Sequence, residues 1–143
     1  MLSEKLKAMK YSAIKSILLV DDDRDDIYFF SNALEKLESD IILLTAGDGE
    51  DAFERLKEYT PDVILLDLNM PKMNGVTFLK TIKKIKYLKD IPVIIYASAL
   101  NVFDEERMIG LGAYAAYRKP EDLEQTLETI RQLLQLNFVR MVG

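Results

Sequence analysis

Cysteine and histidine are both absent from this 143-residue chain. The first absence removes disulfides, thiolate metal sites and cysteine nucleophiles. The second removes imidazole ligands, Ser-His-Asp catalysis and any phosphohistidine relay within the chain. Long apolar stretches are missing too. The longest runs reach five or six residues, too short to cross a bilayer. Met1 to Lys15 holds four lysines but no apolar signal-peptide core, so a cytoplasmic protein without membrane insertion is expected. The net charge of −5 disfavours direct nucleic-acid binding, which needs a Lys/Arg surplus. Carboxylates, Lys, Arg, hydroxyls and backbone groups are left for any chemistry.

Nearly half the residues are apolar, enough for one hydrophobic core at this length, and no Pro-rich linker, repeat or low-complexity block divides the chain. Five strand-length apolar runs stand out: Ile17–Val20, Ile41–Leu44, Val63–Leu66, Pro92–Tyr96 and Tyr114–Tyr117. The first four are continuous rather than alternating, the pattern of strands buried on both faces of a parallel sheet. Segments with helical spacing separate them. Ile27, Phe30, Leu34 and Leu37 form one stripe; Ala52, Phe53 and Leu56 a second, entered through Asp48-Gly49; Phe78, Ile82 and Ile85 a third. Val102, Met108 and Leu111 form a weaker fourth, and Leu123, Leu127, Ile130 and Leu134 a clear fifth, with Glu121 and Asp122 at its positive end. A (βα)5 pattern predicts an α/β, doubly wound three-layer sandwich with right-handed crossovers. Residues 15–135 would form it, with 1–14 an N-terminal extension and 136–143 a C-terminal tail.

In such sheets ligands bind beyond the carboxyl ends of the strands. Strand one ends in Asp21-Asp22-Asp23, strand three in Asp67, and strand five in Lys119-Pro120. Each feature alone has an ordinary explanation: an acidic run Asp21–Asp26 suits a solvated helix start, and a lone Asp or a Lys-Pro suits a turn. Their coincidence at one edge points elsewhere. Clustered carboxylates repel unless a counter-charge joins them. A hard cation such as Mg2+ accepts oxygen ligands and keeps its own waters, and a lysine adds a compact positive charge.

The pieces Ile17-Leu-Leu-Val-Asp-Asp-Asp23, Pro61-Asp-Val-Ile-Leu-Leu-Asp-Leu-Asn-Met-Pro-Lys-Met-Asn-Gly75 and Gly112-Ala113 leading into Lys119-Pro120 resemble the response-regulator receiver family of two-component systems, including its free-standing chemotaxis-type members. The resemblance covers roughly residues 15–135 and implies a five-stranded parallel sheet of flavodoxin-like order 2-1-3-4-5. It implies a phosphoacceptor at Asp67, with Mg2+ or Mn2+ held by Asp22, Asp67 and the Asn69 carbonyl, and by Asp21 mostly through water. Lys119 would pair with the phosphoryl group, and the Lys119-Pro120 bond is often cis in the family. The implied role is phosphorelay signalling: a phosphoryl group arrives from a sensor histidine kinase or phosphotransfer protein, and output is contact with a downstream protein. The chain would catalyse only its own phosphorylation and dephosphorylation. With nothing after Gly143, no attached effector domain is expected, and homodimerisation through the helix 4–strand 5–helix 5 face is left open.

Two positions depart from the family pattern. The usual Thr/Ser at the end of strand four is Ala97, and the aromatic partner in strand five is Ala116. Ser98 could contribute a hydroxyl or backbone N–H to phosphoryl binding beside Ala97, and Tyr114 could supply a ring. The paired alanines raise an alternative: a degenerate receiver that binds partners without phosphorylation. A haloacid-dehalogenase-like phosphatase would need a second acid where Asn69 stands, and a flavin-binding protein would need a Ser/Thr/Gly-rich loop after strand one; neither is present.

Overall fold

A computed structural model describes residues 11–12, 14–70, 72–136 and 138–139. Five parallel strands form its sheet: β1 (Ser16–Val20), β2 (Ile42–Ala46), β3 (Val63–Leu66), β4 (Val93–Ala97) and β5 (Ala115–Arg118), in the order β2-β1-β3-β4-β5. Five helices alternate with them: α1 (Arg24–Lys36), α2 (Gly49–Glu58), α3 (Gly75–Ile82), α4 (Val102–Gly110) and α5 (Leu123–Leu134). This is the doubly wound sandwich expected from the apolar runs, with the flavodoxin-like strand order that the resemblance implies.

Each helix begins at an Asx residue whose side-chain oxygen accepts a first-turn backbone N–H: Asp23, Asp48, Asn74, Asn101 and Asp122. Such caps satisfy donors that a helix start otherwise leaves unpaired, and each contributes about 1 kcal/mol. At α4 the cap is reciprocal, because Asp104 accepts the Asn101 N–H while Asn101 accepts that of Asp104.

The sheet separates two cores. On one face Leu18, Val20, Ile64, Leu66, Val93, Ile95 and Ala97 pack with Ala52 and Leu56 of α2, Phe78 and Ile82 of α3, and Met108 of α4. On the other, Ile17, Leu19, Val63, Leu65, Ile94 and Tyr96 pack with Phe30 and Leu34 of α1 and Ile130 and Leu133 of α5. The central strands β1, β3 and β4 are wholly buried, as continuous apolar runs require. β2 is not: Ile42 is exposed and its next three residues are half-buried. An edge strand has only one hydrogen-bonded neighbour and narrower helix cover, so the run overstated its burial.

Helix faces also differ in detail from their stripes. In α5 the deepest residues are Thr126, Ile130 and Leu133, while Leu123 is exposed. Thr126 is tolerated there because its hydroxyl donates to the Asp122 carbonyl at 2.7 Å. In α4 only Met108 is buried, and Val102 faces out. α3 ends at Ile82, so Ile85 packs from the turns that follow it. Around the sandwich, Tyr11–Ser12 pairs antiparallel with Phe138–Val139, joining segments expected to be separate extensions. Residues 1–10 and 140–143 lie outside the described residues.

Gly75 shows how tightly the loop after β3 is drawn in. A Cβ there would lie 2.6 Å from the Asp67 carbonyl oxygen and 2.8 Å from the Leu68 Cα, both backbone atoms that cannot step aside. Its own N–H donates to the Leu68 carbonyl at 3.0 Å. Gly75→Ala is therefore expected to destabilise the protein by about 1–3 kcal/mol in urea unfolding. Gly110 is the control, because a Cβ there would meet nothing within 4 Å. Gly110→Ala should be neutral or stabilising by up to about 1 kcal/mol.

Candidate functional site

Backbone pairing carries the strand ends into one place. Beyond the regular strands, the Asp21 N–H donates to the Ala46 carbonyl at 2.9 Å, the Asp67 N–H to Val20 at 3.0 Å, and the Lys119 N–H to Ala97 at 2.9 Å. The parallel ladder thus aligns these residues along the carboxyl edge. Side-chain alternation then decides their face. Ile17 and Leu19 point to the α1–α5 side, as do Val63 and Leu65, and Ala115 and Tyr117; Asp21, Asp67 and Lys119 continue the same period of two. Ala97 has the opposite parity and lies in the core under α2, α3 and α4.

The result is a charged pocket in which little water reaches the central groups. Asp21 is fully buried and Asp67 7% exposed, while Asp22 is open to solvent. Oxygens of Asp21, Asp22 and Asp67 all lie within 4.8 Å of one another. The Lys119 ammonium, itself buried, sits 2.6 Å from Asp21 Oδ2, 2.8 Å from Asp26 Oδ2 and 3.5 Å from Asp67 Oδ2. Asp21 Oδ1 accepts the Asp23 N–H at 2.9 Å. Oδ2 of the same carboxylate is buried with no hydrogen bond of sound geometry, so the Lys119 contact there acts through charge. The Asn69 N–H reaches Asp67 Oδ1 at 3.5 Å, and the Asn69 side chain is exposed.

The electrostatics follow from burial and crowding. Burial pushes the Asp21 carboxyl up to about 6; Lys119 and the Asp23 N–H pull it down, and the charge of Asp67 raises it again. For Lys119 burial alone would lower the pKa, but Asp21 and Asp26 outweigh it and hold the ammonium above the ordinary lysine range. Lys119 therefore stays protonated in a pocket to which four carboxylates contribute. One cation against Asp21, Asp22, Asp26 and Asp67 leaves a negative excess. An all-oxygen donor set with that excess fits a small hard cation.

Of the residues singled out in the sequence, Asp21, Asp22, Asp67 and Lys119 are brought together, with Asn69 at the rim. Ala97 is fully buried next to Lys119 in the ladder, and Ser98 just beyond it is exposed. Tyr114 precedes β5, is half-exposed, and its N–H donates to the Val93 carbonyl. The Lys119-Pro120 bond is trans, because no described peptide is cis. Trans remains the ordinary state of an X-Pro bond even where cis is accessible. Pro71, within the most specific stretch, lies outside the described residues.

Asp26 is the site residue that sequence reasoning misses. The acidic run Asp21–Asp26 does open a helix, with Asp23 as the N-cap and Asp25 and Asp26 in the first turn. Asp26, however, also reaches across 93 residues of sequence to Lys119. A spacing of three from the cap places it on the inner side of the first turn, but only the partner's position gives that placement meaning.

Comparison with known proteins agrees with this geometry. The response regulator receiver domain model matches residues 17–131. Curated relatives include the polar-differentiation response regulators DivK of Brucella ovis and Brucella abortus, each 30% identical over 120 residues, covering 84% of this chain and 96% of theirs. Among solved structures, the phosphorylated cyanobacterial phytochrome response regulator RcpA has a TM-score of 0.76 at 31% identity, covering 85% of this chain and 91% of that one. The Mn2+-bound form of response regulator Rcp1 has a TM-score of 0.75 at 28% identity, covering 90% and 97%. By its matched span, its sheet order and its strand-end charges, the chain belongs to the response regulator receiver domain family.

Proposed function

We propose that this chain is a phosphoacceptor in which Asp67 takes a phosphoryl group from a phosphohistidine of a sensor histidine kinase or phosphotransfer protein. The observation that carries the reading is the Lys119 ammonium 3.5 Å from Asp67 Oδ2, inside a pocket that gathers three further carboxylates, Asp21, Asp22 and Asp26. An Asp67 carboxylate oxygen attacks phosphorus in line, a P–O bond forms and the P–N bond breaks. The electron pair leaves on the donor imidazole nitrogen, which takes up a proton. Lys119 then faces the phosphoryl oxygens as their counter-charge. Water later attacks the acyl phosphate and returns phosphate and the free carboxylate.

Asp22, Asp67 and the Asn69 carbonyl would hold Mg2+ or Mn2+, with Asp21 acting through water; the cation would supply neutralisation of phosphoryl charge. Ala97 offers no hydroxyl, so contacts on that side fall to backbone N–H groups near Ser98. Loss of one such hydrogen bond to a charged group weakens coupling by about 1.5–3 kcal/mol without removing the nucleophile. Output through a protein contact on the α4–β5–α5 face is supported by the exposed apolar side chains of Val102, Phe103, Ile109 and Tyr114. The same face could serve a homodimer. No described helix is long and apolar enough to cross a membrane.

Incubation with Mg2+ and acetyl phosphate should add one phosphoryl group, read by intact-mass spectrometry, and Asp67→Asn should abolish the gain. Absence of any Asp67-dependent gain would leave a module that binds partners without being phosphorylated.

The raised pKa of Asp21 sets a pH dependence. Between about pH 4 and 6 the folded chain keeps a proton that the unfolded chain has released, so metal-free stability falls as pH rises through that window. A cation must displace the same proton. Calorimetry should therefore show Mg2+ binding weaker at about pH 5 than at about pH 7. Asp21→Asn should weaken binding at both values and flatten the difference.

A further inference from the structure

Lys119 is shared unequally. Asp21 and Asp26 hold its ammonium at 2.6 and 2.8 Å, the range of strong charge-assisted contacts, while Asp67 stands at 3.5 Å. Asp21 is fixed to the β1 edge by its backbone bond to Ala46 and cannot follow the lysine. Asp26 belongs to α1, a separate layer, and its side chain is partly exposed. It is also the carboxylate here that lies outside the cluster of three suited to a cation.

We propose that Asp26 is a positioning residue that holds Lys119 back from Asp67 and gives it up when a phosphoryl group arrives. This rests on the reading of Asp67 as the phosphoacceptor. A phosphoryl group on Asp67 brings close to two negative charges to the ammonium, against one on Asp26. The lysine moves to the stronger field. Release of Asp26 is not costly, because in the first turn of α1 its carboxylate still meets the positive end of the helix and can be hydrated.

The consequence is a route for the signal. Ala97 has neither hydroxyl nor the right face to link the pocket to α1, and Ala116 brings no ring. Asp26 does both jobs differently: it touches the pocket and lines a cleft of about 280 Å3 between α1 and α5, with Tyr28, Phe29, Tyr96 and Leu123 around it. Three of these, Tyr28, Phe29 and Leu123, are exposed apolar side chains. Freeing a carboxylate at the edge of that cleft changes its charge when Asp67 changes state.

The test uses the full chain with Mg2+ and beryllofluoride as the phosphoryl mimic. In the wild type, the 13C carboxyl resonance of Asp26 should move on adding beryllofluoride but not on adding Mg2+ alone. Asp26→Asn should bind beryllofluoride roughly five- to tenfold more tightly, since no carboxylate competes for Lys119. Asp26→Glu should return the affinity to within about twofold of wild type. A merely structural ion pair gives the opposite sign, because losing it would leave Lys119 less ordered and binding equal or weaker. Unchanged or weaker binding by a folded Asp26→Asn protein overturns the proposal. So does an Asp26 resonance that ignores beryllofluoride, a readout that needs no variant to fold. Failure of the wild type to bind the mimic at all would instead bring down the reading of Asp67, and this proposal with it.

Discussion

A protonated lysine buried among carboxylates is the constraint around which the site is arranged. Lys119 could not be buried alone, and Asp21 could not be fully buried without it. Their contact at 2.6 Å ties the end of β1 to the end of β5, strands that are not neighbours in the sheet. Between them stands β3, whose last residue leads directly into Asp67. The ion pair therefore spans the position of Asp67, and Asp67 is held by its neighbours as much as by its own loop.

That pair is balanced in sign rather than sealed. With one ammonium and four nearby carboxylates, the pocket is short of positive charge, and the charge of Asp67 adds to the burial that raises Asp21. A site in this condition fits a cation. The excess is local: α1 contributes Asp26 from a second layer, so the sheet edge and the helix share one lysine.

The fold makes such sharing possible because the two sides of the sheet are chemically different. The face under α2, α3 and α4 is sealed by apolar contacts up to Ala97, whose methyl offers no polar link. The face toward α1 and α5 ends in charge. Alternation along the strands sends Asp21, Asp67 and Lys119 to that second face. The tight approach at Gly75, against the Asp67 carbonyl, then keeps the loop after β3 from drifting away from it.

Much of this is readable without coordinates. Continuous Ile/Leu/Val runs mark β1, β3 and β4 because a central parallel strand must be apolar on both faces, and aspartate or lysine placed directly after such a run has to emerge at the carboxyl edge. Asp48 before the second helical stripe and Asp122 before the fifth mark where two of the helices begin, whereas the caps at Asn74 and Asn101 come from the structure. Features that depend on distance between elements are not readable in this way. The half-burial of β2 follows from its place at the sheet edge, and the rotation of the α5 stripe toward Thr126 follows from how that helix lies against α1 and the sheet. The partnership of Asp26 with Lys119 is of the same kind. Local chemistry determines which residues can carry charge into a strand end or a helix cap, but only the packed layers decide which of those charges meet.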